Sequence, residues 1–294
     1  MKYRYRLGRW LGHQKWIKRG RSITLRTLLN PDHIKSEPFE VDFFGYRYTG
    51  DLSNSLDWQV YMLGAYAMHE LSLLRDMSAA LRTPGSVLNF YDIGANIGHH
   101  TLFMSKYADN VKSFEPYGAV RAKANQKIEQ NKVANVVIYP YALGAEDGEF
   151  EYAMPSGSNQ GSGSFRIEND DRPKTTLTVK HGDVFFMREN LPKMDIIKMD
   201  VEGFESVVLN GLHDRLRSDR PIIMSEISGE DRSGFKTLDG LSKVLYDDFE
   251  IYEVIVERYG GPYVLTPCHF ETAEEILIVP KELRPKLKNV LPPL

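Results

Sequence analysis

The stretch Tyr91-Asp92-Ile93-Gly94-Ala95-Asn96-Ile97-Gly98 decides how the rest of the chain is read. An apolar run of strand length, residues 87–93, leads directly into glycines and then into a short helical segment ending near Ala108. A strand that turns through glycines into a helix presents backbone N–H groups at the helix N-terminus, where an anionic group binds well. The spacing here is G-x-x-x-G behind an acid, so the third glycine of a dinucleotide G-x-G-x-x-G pattern is missing. Taken alone, the turn fits a ligand corner and a plain tight turn equally.

Outward from this corner the chain alternates strands and helices. Strands are expected over 111–114, 136–143, 194–199, 221–227, 251–257 and 275–279, with helices over 119–131, 203–216 and 238–249. Units of this size predict an α/β domain: a mostly parallel, doubly wound sheet of seven strands covered on both faces. Ahead of it, Val60, Leu63, Ala67, Leu71, Leu74 and Leu81 recur at helical spacing until Thr83-Pro84-Gly85 stops them, giving a helical cap over 57–82. Residues 39–50 read as a short strand pair around Gly45. Residues 147–183 interrupt the alternation with a β-branched run and a Gly/Ser-rich tip, an antiparallel insertion. The division expected is a basic arm with the strand pair (1–56), the α/β domain (57–280) and a Pro-rich trailing tail (281–294).

The 294 residues are 42% hydrophobic, 26% charged and 11% aromatic, which excludes wholesale disorder, collagen and coiled coil. Cys268 is the single cysteine, so neither an intrachain disulfide nor a thiolate metal cluster can form, and a reducing cytoplasm is the expected home. There is no apolar run of membrane-spanning length and no secretory-type apolar segment near residue 1. The net charge of −3 hides an asymmetry: residues 1–26 hold nine Lys/Arg and no acid, leaving −12 on the rest. Trp10, Leu11, Trp16 and Ile17 are interleaved with these cations. Such a segment suits an anionic membrane surface or a phosphate-rich partner, resembles a mitochondrial presequence, and is also what a solvated arm looks like. The acidic remainder argues against a nucleic-acid enzyme.

Three further positions carry chemistry. Glu115, in Phe114-Glu115-Pro116, ends the second strand, where a carboxylate accepts hydrogen bonds from both hydroxyls of a ribose. Asp200 ends a central strand, with Glu202 on the following loop and Glu205 at the next helix start, where its charge suits the dipole. Glu226 ends the fifth strand. Asp200, Glu202 and Glu226 therefore converge as candidate general bases, with His100 beside them. Three acids also suit a hard divalent cation, although carboxylates of this kind more often bind sugar hydroxyls or a cofactor, and a metal is left open. His181 and His269 sit in loops with no identifiable partner. Trp58, Tyr61 and Tyr66 read either as core or as a stacking wall for a sugar ring.

The motifs DIGANIG (92–98), FEP (114–116), YALG (141–144) and IIKMDVEGFE (196–205), in this order and spacing, resemble the FkbM-type methyltransferases. The resemblance runs from about residue 64 to 279 and is loosest in the insertion; His99-His100 and Gly182-Asp183 depart from the usual pattern. It implies a class I, Rossmann-like fold whose last strand, 275–279, is antiparallel, and S-adenosylmethionine as cofactor. It also implies that Gly94, Asn96 and Gly98 hold the methionine end, with Asp92 fixing the loop or reaching the amino group. Glu115 takes the ribose, Ala142 lies near the adenine, and Asp200 closes the crevice by the sulfonium or the acceptor. The activity expected is O-methylation of a small molecule or glycan precursor; a cofactor-binding module without turnover and a nicotinamide oxidoreductase are the rivals.

Overall fold

The computed structural model describes residues 2–14, 20–167, 170–227, 229, 231–256 and 263–293. Lys15, Trp16, Ile17, Lys18 and Arg19 of the basic arm lie outside the described residues, as does Glu257 at the end of an expected strand. The arm is helical on either side of that gap, as α1 (Tyr3–Gly12) and α2 (Arg21–Leu28). Next come β1 (Pro38–Phe43) and β2 (Tyr46–Asp51), a hairpin closed by Phe44 and Gly45. Both turn residues have positive φ, 53° and 82°, the backbone a two-residue hairpin turn needs.

The cap is two helices rather than one. Asn54 starts α3 (Ser55–Leu63) by accepting the backbone N–H bonds of Leu56 and Asp57, and Gly64 ends it at φ 96°. The chain restarts at Ala67 (φ 44°) as α4 (Met68–Leu81). The apolar spacing ran on through the break, so periodicity alone did not mark it.

The doubly wound part begins with β3 (Asn89–Ile93), α5 (His99–Met104), β4 (Asn110–Phe114), α6 (Gly118–Gln130) and β5 (Val136–Tyr139). The third strand does not run to 143 as expected. After Pro140 the chain leaves the main sheet, and β6 (Ala142–Gly144) pairs instead with the insertion. The insertion's β7 (Gly148–Ala153) and β8 (Lys174–His181) are antiparallel, completing a three-stranded sheet of order β6-β8-β7. There follow α7 (Gly182–Arg188) and β9 (Ile196–Met199), then α8 (Glu205–Gly211) and α9 (His213–Asp219) in place of one expected helix. The chain continues with β10 (Ile222–Glu226), α10 (Leu238–Val244), β11 (Phe249–Val256), β12 (Tyr263–Pro267) and β13 (Glu275–Pro280).

The main sheet has the order β12-β11-β13-β10-β9-β3-β4-β5. β13 runs antiparallel between β10 and β11, as the resemblance implied. The sheet has eight strands rather than seven, because β12 adds an antiparallel edge strand to β11. Alternate side chains feed the two faces: Phe90, Ile196, Ile222 and Leu277 pack under the cap, while Tyr91, Ile197, Ile223 and Ile278 pack on the opposite side. Residues 281–293 do not trail freely; Leu287 and Leu291 are buried in the cap-side core. No helix among the described residues is long and apolar enough to cross a membrane.

Winding reverses between β3 and β9, which are parallel neighbours. Open α/β sheets bind ligands at the carboxyl ends of strands at such a switch point. Ile93 and Met199 end those strands, which places the corner 94–98 and Asp200 on the two lips of the crevice.

Candidate functional site

The corner after β3 is held by the neighbouring strand. The backbone N–H groups of Gly94 and Ala95 both donate to the Phe114 carbonyl, at 3.0 Å each, so these two donors are already engaged. Gly94 has φ 86°, and a Cβ there would lie 1.9 Å from the Asp200 carbonyl oxygen, so the two lips touch through a glycine. Gly98 (φ 76°) serves packing: a Cβ would meet that of Ala124 on α6 at 2.7 Å.

Glu115 is buried and tied by both oxygens. Oε2 accepts the Asn96 backbone N–H and Oε1 accepts that of Tyr117, each at 2.8 Å. Burial pushes its carboxyl up to about 7, against the pull of those two bonds. Asn96 itself has φ 51°, and its buried Oδ1 has no hydrogen-bond partner. Asp92 lies beneath the corner, fully buried, with Oδ2 accepting from Thr101 Oγ1 at 2.6 Å and its pKa raised by burial. That bond reaches α5 rather than residues 94–98, and the buried Oδ1 has no hydrogen-bond partner.

Across the crevice, buried Lys198 donates to Asp200 Oδ2 at 3.0 Å. Asp200 and Glu226 share a hydrogen bond; Lys198 holds Asp200 ionised despite its partial burial, and Glu226 keeps the proton. Burial first, then the Asp200 charge, pushes Glu226 up to about 9. Glu202 stands in left-handed backbone (φ 52°), with its carbonyl accepting from Ser164 Oγ at 2.7 Å. Burial and the Asp200 charge bring its carboxyl up to about 7. Glu205 turns inward instead, where Oε1 accepts from the backbone N–H of Val201 at 3.1 Å and of Gly203 at 3.3 Å. It staples the 201–203 loop, which is more than the dipole role expected of it.

A cavity of about 440 Å³ joins these groups. Gly94, Asn96, Glu115, Ala142, Asp200, Glu202 and Glu226 all line it; Asp92 and Gly98 stand behind its wall. His99, His100 and Tyr66 also line it, whereas Trp58 and Tyr61 are core. His181 and His269 are not among the lining residues. Several lining residues escaped sequence reasoning: Arg26 from the arm, Gln59 from the cap, and Tyr152 and Phe165 from the insertion. Tyr152 meets Phe165 edge-on at 5.1 Å and Phe165 lies 4.9 Å from Phe204, forming an aromatic wall. A smaller cavity of about 210 Å³ shares Tyr66, Lys198, Asp200 and Glu226 with the first and adds Glu70, Glu274 and Glu275. Among the described residues, the trio with ligand atoms within 4.8 Å of one another is His69, Glu70 and Glu275, not Asp200, Glu202 and Glu226. The cation at Asp200 is the Lys198 ammonium.

Residues 92–260 match the family model described as the methyltransferase FkbM domain. The hexuronic acid methyltransferase AglP of Haloferax volcanii is 28% identical over 142 residues, which are 48% of this chain and 56% of that protein. Methyltransferase 1 of Beauveria bassiana is 30% identical over 143 residues, covering 42% and 57%. The chain thus spans a little over half the length of these curated relatives. A solved FkbM methyltransferase from Methylobacillus flagellatus aligns with a TM-score of 0.42 at 14% identity, covering 75% of this chain and 52% of that one.

Proposed function

Because the chain belongs to the FkbM methyltransferase family, we propose that it transfers a methyl group from S-adenosylmethionine to a hydroxyl of a small molecule or glycan precursor. The observation that carries this reading is the 2.8 Å hydrogen bond joining Asn96 to Glu115 on the wall of a cavity that Asp200 also lines. When bound, the cofactor supplies a methyl on a sulfonium, already a strong electrophile. The protein's tasks are then alignment, exclusion of water and removal of one proton.

The residues present fit such a ligand. Each Glu115 oxygen uses one lone pair on a backbone N–H and keeps another for a ribose hydroxyl. The unpartnered Asn96 Oδ1 is an acceptor for the ammonium of a methionine end. Ala142, Tyr152 and Phe165 offer an apolar and aromatic bed for an adenine. The cavity volume lies within the ~300–1,000 Å³ typical of small-molecule sites.

The acceptor is assigned to the junction with the smaller cavity, where Asp200 and Glu226 sit. Carboxyl groups there suit sugar hydroxyls as hydrogen-bond acceptors, and the hexuronic acid methyltransferase relative supports a glycan component. Asp200, the ionised member of the pair, receives the proton of the attacking hydroxyl, while protonated Glu226 and Lys198 keep the carboxylate aimed and charge-balanced. A divalent metal is not part of this scheme, since Lys198 already balances Asp200. We place the enzyme in the cytoplasm.

A thermal-shift comparison tests the cofactor. S-Adenosylhomocysteine at about 100 times its Kd adds ~2.7 kcal/mol of stability, a rise of several degrees in Tm, whereas NADH leaves Tm unchanged. A shift with NADH alone would instead support an oxidoreductase. Labelled-methyl assays on hydroxyl-bearing acceptors, hexuronate glycans included, then separate turnover from mere binding. Ligand stabilisation without transfer to any acceptor marks a binding module.

A further inference from the structure

Most large apolar side chains of this protein are inside, yet both arm helices expose several. Tyr3 is 79% exposed, Leu7 43%, Trp10 57%, Ile23 72% and Leu28 71%. Tyr3, Leu7 and Trp10 follow the i, i+4, i+7 spacing and so form one stripe along α1. Exposed Arg4 and Arg6 flank this stripe, and exposed Arg26 stands between Ile23 and Leu28 on α2.

The stripe is fixed to the catalytic body. The inner face of α1 carries Tyr5, Gly8 and Gly12, all buried. A Cβ on Gly12 would lie 1.8 Å from the Met62 carbonyl oxygen, so the helix sits directly on the backbone of α3. Arg9 locks the contact by donating to the Tyr61 carbonyl at 2.8 Å and lying over the Tyr61 ring. Because α1 already buries one face, its outward apolar stripe is not the side that folds the chain.

We propose that α1 and α2 form a docking face for an anionic lipid bilayer, with Tyr3, Leu7 and Trp10 entering the interface and the arginines meeting lipid phosphates. Aromatic and aliphatic side chains flanked by cations are the pattern of helices that lie in the membrane interface. Charge complementarity selects the partner. Residues 1–26 carry nine cations and no acid, while the rest of the chain carries −12. An anionic surface therefore attracts this face and repels the remainder, which orients the molecule. Arg26 belongs both to α2 and to the wall of the main cavity, so docking brings that cavity next to the bilayer.

The test is vesicle co-sedimentation of the full chain, with phosphatidylcholine alone or mixed with phosphatidylglycerol. Expected are binding only to the mixed vesicles, loss of binding at high salt, and a drop of about tenfold or more in partitioning for Leu7→Ala/Trp10→Ala and for Arg4→Glu/Arg6→Glu. These side chains are exposed and off the cavity wall, so an unchanged Tm verifies folding. Equal binding to neutral vesicles, or full binding by both variants, overturns the proposal. So does an absence of vesicle binding, including the case in which the Leu7→Ala/Trp10→Ala change alters the oligomeric state and a second copy proves to cover the stripe. The readout does not involve methyl transfer, so it stands or falls apart from the enzymatic reading.

Discussion

Replacing Glu115 with Ala weakens S-adenosylhomocysteine binding, measured by calorimetry, by about tenfold or more, since hydrogen bonds to a charged group contribute ~1.5–3 kcal/mol each. Two effects add. The ribose loses its acceptor, and the backbone N–H groups of Asn96 and Tyr117 lose theirs, which loosens the corner that aims Asn96. A Gln is no neutral substitute, because its NH2 group would face one of those N–H donors. The pH dependence identifies the group. With the carboxyl at about 7, ligand hydroxyls favour the ionised form, so binding releases a proton and affinity rises with pH. Between pH ~6 and ~8 the wild-type Kd falls about tenfold and then levels; in Glu115→Ala this slope is lost. Unchanged affinity in the variant, or a flat wild-type profile, removes Glu115 from the ribose role.

That position was legible because it follows from order along the chain. A strand, a glycine corner, a second strand and a terminal acid can be counted from sequence, and the parallel pairing of β3 with β4 brings Asn96 to Glu115. The same counting placed Asp200 and Glu226 at neighbouring strand ends. Tyr152, Phe165 and Arg26 were not legible, for a physical reason. They come from the insertion and the arm, whose packing against the crevice depends on long-range contacts that no local period encodes. Pro140 interrupts the 136–143 run, but β5 is an edge strand, where proline is tolerated, so the residue did not by itself mark the end of β5. The apolar run around it concealed the switch of Ala142 into the small sheet. The charge pattern of residues 1–26 was readable, but their docking onto α3 depends on Gly8 and Gly12, which composition presents only as helix-weakening residues.

Asp200→Asn lowers kcat for methyl transfer by about 10²–10⁴, the range associated with losing a positioned general base, while S-adenosylhomocysteine affinity changes only a few-fold. Geometry favours Asp200 over Glu202 for this role: Asp200 lines both cavities, whereas Glu202 lines only the larger. Its low basicity is no obstacle, because the hydroxyl becomes acidic only as the methyl is transferred and the proton can leave late. The variant should still fold. Removing the Asp200 charge takes away the second cause of Glu226's elevated pKa and a hydrogen bond that held its proton. Glu226 then ionises and balances buried Lys198, which averts the penalty of an unpaired interior charge. The wild-type pH–rate profile should inflect near 9, where Glu226 loses its proton; in Glu226→Gln that inflection disappears while most of kcat survives. If Asp200→Asn keeps more than about a tenth of kcat, Asp200 does not take the proton. Glu202, half-buried beside it with a carboxyl at about 7, then becomes the base, and an inflection near that pH that vanishes in Glu202→Gln would identify it.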